Sequence, residues 1–195
     1  MNKRIYLASR SPRRAEILQQ IDIEFEVLPS DIDESQLDGE SPEAYVIRLA
    51  REKAAACQKA LQQQGRQLMP ILAADTTVSI DGIILGKPLN DADAYAMLRR
   101  MAGRWHEVHT GIALADQQHL VSALSTSRVE VAELSDAMIH AYIATGEPHD
   151  KAGAYGIQGL AGTFIKRVEG SYSGVMGLPV YETAELLRNA GIEVL

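Results

Sequence analysis

Six consecutive residues, Ser9-Arg10-Ser11-Pro12-Arg13-Arg14, gather hydroxyl and guanidinium groups into one short segment. An apolar run at residues 5–8 precedes them, and Ile17 and Leu18 supply an apolar face just after. The segment therefore falls where a strand gives way to a helix. Ser11-Pro12 is a helix-start signal, with a capping hydroxyl followed by proline at the first helical position. Unpaired backbone N–H groups at a helix start, joined by arginines, make an anion site. Arg13 and Arg14 also oppose the helix dipole, so the first turn is unfavourable without an anion. An exposed basic turn with ordinary capping is the plain alternative; position and dipole favour phosphate.

Asp75 stands between Ala73-Ala74 and Thr76-Thr77, at the end of the apolar run at residues 70–74. A carboxylate there is costly unless it is paired, bound to metal or placed at a cleft. The carboxyl ends of strands are where α/β sheets hold ligands. A solvated capping aspartate fits the residue type equally well. Lys53 and Lys87 are candidate point charges for phosphate. Lys53 also reads as part of a solvated helix face with Glu52, whereas Lys87 sits in a short rigid loop between Gly86 and Pro88. Residues 150–159 are glycine-rich and carry Tyr155 and Gln158. Such a loop lets backbone approach a flat ligand closely, or simply turns tightly. His106 and His109 would point to opposite faces of a strand and form no ligand cluster. Cys57 keeps helical spacing with Ala50 and Leu61 and reads as core. No Gly-x-Gly-x-x-Gly and no Walker-type loop is present.

Charge is distributed unevenly along the 195 residues. Nineteen basic and 26 acidic side chains give a net charge of −7. Residues 1–14 hold five basic side chains (Lys3, Arg4, Arg10, Arg13, Arg14) and no acid, while residues 15–47 hold ten acids and no Lys or Arg. A net-negative chain binds a phosphate compound only through a local basic focus, which the N-terminal segment supplies. The acidic stretch could hold a divalent cation or be solvated surface. The balance opposes nonspecific nucleic-acid binding. One cysteine excludes an intrachain disulfide and a thiolate zinc cluster, and suits a reducing cytoplasm. No apolar run approaches the ~20 residues of a membrane span, and none resembles a signal sequence.

The elements that must position these residues follow from periodicity and punctuation. Strands are expected at residues 5–8, 25–28 and 70–74, the last ending at Asp75. Residues 77–80 and 83–85 form a hairpin around Asp81-Gly82. Further strands fall at residues 108–115, 120–131 and 164–165. Helices start at Pro12, run from Pro42 to about Gln64, cover residues 91–101, start after Ser135 and end near Thr145, and close the chain at residues 180–189. Residues 146–162 and 169–179 are expected loops. Alternating strands and helices with hairpins predict an α/β fold with a mixed sheet. No linker divides the chain, so residues 1–195 are expected to form a single domain.

Taken together, the segments resemble the Maf family of nucleotide pyrophosphatases. The resemblance rests on Leu7-Ala8-Ser9-Arg10-Ser11-Pro12-Arg13-Arg14, Arg51-Glu52-Lys53-Ala54, Ala74-Asp75-Thr76, Gly86-Lys87-Pro88, residues 151–159 and Val175-Met176-Gly177-Leu178-Pro179, in order along the whole chain. It implies an elongated domain with a central mixed sheet flanked by helices, and two lobes around a cleft, similar to inosine-triphosphatases. It implies hydrolysis of a nucleoside triphosphate to the monophosphate and pyrophosphate, as house-cleaning of nucleotide pools. Asp75 is then the proton acceptor, and Ser9, Arg13, Lys53 and Lys87 hold the triphosphate. The cation is divalent, Mg or Mn, and Glu34 from the acidic stretch is our choice of second carboxylate beside Asp75. Arg13, Thr76 and Gln158 match the branch acting on dTTP and UTP, with 5-modified uridine triphosphates within reach. A glutamine amide satisfies the adjacent donor and acceptor of a uracil edge. The family further implies a homodimer with a small-molecule substrate. A purine-type pyrophosphatase, for inosine or 7-methylguanosine triphosphate, and a non-catalytic regulator of septum formation are the alternatives.

Overall fold

A computed structural model describes residues 4–194. Lys3 of the basic segment lies outside the described residues. Seven strands form one sheet. Its order is β2 (Glu24–Val27), β1 (Arg4–Leu7), β3 (Ile71–Ile80), β5 (Trp105–Ala115), β6 (Leu120–Val131) and β7 (Ile165–Glu169). The short β4 (Ile83–Leu85) pairs the far end of β3. β1 is parallel to β2 and β3, and the remaining pairs are antiparallel. The sheet is therefore mixed, as expected.

Strand alternation sorts the core into layers. Ala73 faces α2 (Pro42–Gln63), whose buried stripe Ala50, Ala54, Cys57 and Leu61 packs there. Leu72 and Ala74 face the other way, onto α1 (Pro12–Gln20) and α6 (Val180–Asn189). Val78 and Ile80 share that face farther along and meet α3 (Asp91–Met101) and α4 (Asp136–Ile143). Two lobes thus hang on the long strands β3, β5 and β6. Among the described residues, no helix is long and apolar enough to cross a membrane.

One expectation is corrected at the position that matters most. β3 does not end at Asp75 but continues unbroken to Ile80. Antiparallel pairing with β5 carries it through, with Asp75 opposite Gly111 and Thr76 opposite Thr110. The partner strand satisfies the backbone, so a polar pair within an apolar run need not terminate the strand. On its other edge, β3 meets β1 only through Ile71 and Leu72, and β4 only from Val78 onward. The intervening stretch of β3, with Asp75 and Thr76 in it, is a gap in the sheet edge. The strand-end argument for Asp75 therefore holds for β1, which stops beside it, and not for β3 itself.

Other boundaries shift by local chemistry. β5 begins at Trp105, and β7 extends to Glu169. Residues 146–162 contain three short 3-10 segments, Glu147–Asp150, Ala152–Ala154 and Leu160–Thr163. The expected loop at residues 169–179 holds a short helix, α5 (Tyr172–Met176). Ser171 caps it, and Gly177 ends it at φ 119.

Candidate active site

The sheet gap opens into a cleft of about 1010 Å³, roomy enough for a nucleotide. Every residue singled out in the sequence lines it: Ser9, Arg13, Glu34, Lys53, Asp75, Thr76, Lys87 and Gln158. They arrive from the β1–α1 turn, the acidic loop at residues 29–40, α2, β3, the loop after β4 and the turn at residues 156–159.

The β1–α1 turn carries the anion-site argument one step further. Ser11 occupies the N-cap of α1 but makes no side-chain capping bond. Ser41, Asn90, Ser135 and Ser171 do cap their helices. The first-turn N–H groups of α1 are thus left without the usual hydroxyl, beside two arginines, at the cleft wall. Ser9 faces inward and is 8% exposed. Its oxygen accepts from Arg14 Nη1 at 3.0 Å and from the Ser11 N–H at 3.2 Å. Its own proton stays available to a ligand.

Arg14, part of the basic segment but given no individual role by the sequence, is the most committed cation in the cleft. Its Nε donates to the Gly177 carbonyl at 2.8 Å and its Nη2 to Thr76 Oγ1 at 3.1 Å. Burial pushes its pKa below the ordinary arginine value, against the pull of Asp75. A hydroxyl chain runs on from it. Thr110 Oγ1 donates to the Gly174 carbonyl at 2.8 Å, so the 2.9 Å bond between Thr76 and Thr110 takes its proton from Thr76. Thr76 therefore has no second proton for a ligand, and its hydroxyl aims Arg14. The signal was the second first-turn arginine; its partners lie 62 and 163 residues away in the chain.

At the other end, Lys53 Nζ lies 2.7 Å from Asp75 Oδ1 and 2.7 Å from Glu34 Oε1. The Lys53 and Asp75 side chains are only 12% and 11% exposed, whereas Glu34 is 53% exposed at the mouth. Burial raises the Asp75 pKa, outweighing the attraction of Lys53 and Arg14. Burial also pushes Glu34 upward, but the Lys53 hydrogen bond and charge win and hold it below its ordinary value.

The acidic loop has no secondary structure of its own and is fastened to α2. Tyr45 donates its hydroxyl to the Glu34 carbonyl at 2.9 Å. Arg48 grips Glu40 through two bonds of 2.6 and 2.8 Å and reaches the Ser35 carbonyl at 2.9 Å. Tyr45 and Arg48 are also absent from the sequence-based site; no local motif marks them. Burial raises the Tyr45 phenol to about 12, and the charges of Asp75 and Glu34 add to it.

Arg13 lies toward the glycine-rich side, with Nη1 facing Gly156. Its Nε is buried without a partner among the described residues. No side-chain hydrogen bond occupies the Gln158 amide among the described residues. The other titratable candidates fall outside the chemistry. His106 bonds Tyr155 and is pushed down to about 4 by burial. His109 sits between Ser79 and Thr126. Cys57 is buried, and its thiol is raised to about 11 by burial.

The Maf-like protein family model matches residues 4–190. A dTTP/UTP pyrophosphatase of Methylobacillus flagellatus is 62% identical over 191 residues, covering 98% of this chain and 94% of that protein. Relatives of the same description from Chromobacterium violaceum and Dechloromonas aromatica are 54% and 49% identical. Both alignments cover 98% of this chain, and 96% and 100% of those proteins respectively.

Proposed function

The chain belongs to the Maf family, and from that membership we propose a nucleoside triphosphate pyrophosphatase. It hydrolyses dTTP and UTP to the monophosphate and pyrophosphate, with 5-modified uridine triphosphates as further substrates. The observation that carries the reading is Asp75: a buried carboxylate in a sheet gap, faced by Lys53 and Arg14. Its raised pKa makes it a better proton acceptor than an ordinary aspartate. Water attacks the α-phosphorus, its proton passes to Asp75, and the bond from the α-phosphorus to the bridging oxygen breaks to release pyrophosphate. Ser9, Arg13, Lys53 and Lys87, with Arg14 behind them, hold the triphosphate in line.

The donor set fits a divalent cation. Asp75 and Glu34 both reach the Lys53 ammonium, which fills the position between their oxygens, so a divalent cation held by the pair would take the place of that ammonium. Among the described residues no third carboxylate, histidine or cysteine joins them. Two hard oxygen donors, completed by water and phosphate, suit Mg or Mn. When bound, the cation would neutralise developing charge on phosphate oxygens. Arg13 and Gln158 read the pyrimidine edge, the Gln158 amide offering the acceptor and donor that a uracil N–H and carbonyl require. Thr76 contributes to specificity through Arg14.

Residues 1–195 serve as one cytoplasmic catalytic domain. One sheet running through both lobes and a single buried thiol support that reading. A homodimer is supported by the outer edge of β6, which β7 pairs only from Arg128 onward. The acidic balance supports a small-molecule substrate over nucleic acid.

Pyrophosphate release across canonical and modified nucleoside triphosphates, with Mg, Mn or chelator, tests the assignment. Metal-dependent release from dTTP and UTP is expected, with purines about 100-fold behind in kcat/KM. Asp75→Asn should lower kcat by about 10²–10⁴-fold. Near-normal turnover in that variant would remove Asp75 from its role, and activity confined to purines would overturn the specificity.

A further inference from the structure

Glu147 lines the same cleft as the phosphate-binding residues, yet its carboxylate is fully engaged. Oε1 accepts from the Tyr142 hydroxyl at 2.8 Å and the Ala161 N–H at 3.3 Å; Oε2 accepts from the Leu160 N–H at 2.9 Å. The carboxylate lies so close to Gly159 that a Cβ there would stand 2.5 Å from Oε1. It is thus packed against one end of the turn at residues 156–159. Tyr142 holds the other end, its hydroxyl accepting from the Gly156 N–H at 3.4 Å. The turn itself is closed by the Gly159 N–H on the Gly156 carbonyl at 3.0 Å. Gln158 rides on this turn, with no hydrogen bond of its own side chain among the described residues.

The three donors are neutral and leave the carboxylate its charge, which Lys151 partly offsets; what they fix is where the carboxylate sits. Two of the donors, the Leu160 and Ala161 N–H groups, directly follow the turn that carries Gln158, and the third is the Tyr142 hydroxyl that anchors the start of that turn. We propose that Glu147 and Tyr142 form a brace that sets the position of Gln158, making them positioning residues for base discrimination and not ligands of phosphate or metal. The inference rests on the reading of Gln158 given above. Preorganisation of this kind acts on binding: a side chain held in place loses less entropy when it meets the base.

Steady-state kinetics with dTTP and dGTP would test the brace in Glu147→Gln, Tyr142→Phe, Gln158→Ala and the two doubles with Gln158→Ala. Glu147→Gln swaps an acceptor oxygen for an N–H2 group facing N–H donors, and Tyr142→Phe keeps the ring while deleting the hydroxyl. Each should raise KM for dTTP about tenfold with kcat within about twofold, and lower discrimination against dGTP about tenfold. In the Gln158→Ala background neither should change discrimination further. Equal losses on both nucleotides, or effects that add to those of Gln158→Ala, would overturn the brace. If Gln158→Ala leaves discrimination intact, the reading of Gln158 fails and the brace falls with it. If Gln158→Ala loses discrimination while the brace variants keep it, the brace alone fails. Should Glu147→Gln not fold, Tyr142→Phe decides alone by the same criteria.

Discussion

Asp75 is kept ionisable at a cost. Burial raises its pKa, so the charged form is disfavoured in the folded chain, while Lys53 and Arg14 only partly offset this. The raised value sets the sign of two effects. A base with a raised pKa loses activity, as pH falls, earlier than an ordinary aspartate. The acid limb of kcat/KM should therefore lie above that of an ordinary aspartate, and Asp75→Asn should lack it. For stability, a carboxyl whose folded pKa is raised contributes most below its unfolded pKa, and loses that contribution as pH rises through the folded value. Asp75→Asn should therefore melt at or above the wild-type temperature at pH 7, with the gap narrowing toward acid pH. Thermal melts across pH check this, and a neutral-pH Tm well below wild type would contradict it. Several site residues were legible because their motifs are local: Ser9 and Arg13 at a helix start, Lys87 between Gly86 and Pro88. Arg14 was legible as part of the basic segment but not in its role, which is fixed by Gly177 and Thr76, far away in the chain. Thr76 was legible as a position but not as a mechanism, since the direction of its proton depends on Thr110 and Gly174.

α2 acts as a rail along which the acidic loop is fastened. Tyr45 and Arg48, three residues apart, meet the loop backbone at Glu34 and Ser35, and Lys53 meets its Glu34 carboxylate. The Lys53 carbonyl also accepts from the Ser30 hydroxyl at 2.9 Å. The loop brings little to the apolar core, so its position depends on these polar bonds. Arg48→Met, which keeps the stem and removes the fork, should speed amide exchange across residues 30–40. Stability should fall only modestly, by about 1 kcal/mol, which lowers Tm by roughly 2–4 °C. kcat/KM should fall about tenfold because Glu34 loses its placement. Unchanged exchange in the loop would show that the remaining bonds suffice. The helix was legible from its start signal and apolar stripe. The loop's attachment was not, because a structureless acidic stretch looks the same whether solvated or clamped. β3 was misread for a related reason. Asp75-Thr76-Thr77 interrupts an apolar run, and only the partner strand β5 shows that the backbone stays paired across it.

The sheet has several free borders, and they are not alike. β2 carries Glu24 and Glu26, and β7 carries Lys166, Arg167 and Glu169, the charges that keep edge strands from pairing with strangers. The outer edge of β6 ahead of the β7 pairing, residues 120–126, reads Leu-Val-Ser-Ala-Leu-Ser-Thr and has no charge at all. Val121 and Leu124 are 44% and 38% exposed on its two faces. Tyr172 and Tyr181, at 51% and 72%, are exposed on the helices packed against β6. An uncharged antiparallel edge is complementary to itself about a two-fold axis, so a second copy is the occupant that needs no further matching. The cleft opens on the opposite border of β3, with β5 lying between β3 and β6. Association and chemistry should therefore separate. Light scattering should give twice the chain mass for the wild type and the chain mass for Leu124→Glu. Turnover per chain should stay within about twofold, since no cleft residue is touched. A Leu124→Glu protein that remains dimeric would place the interface elsewhere. A monomer that loses activity would mean the partner copy supports the cleft across the whole width of the sheet.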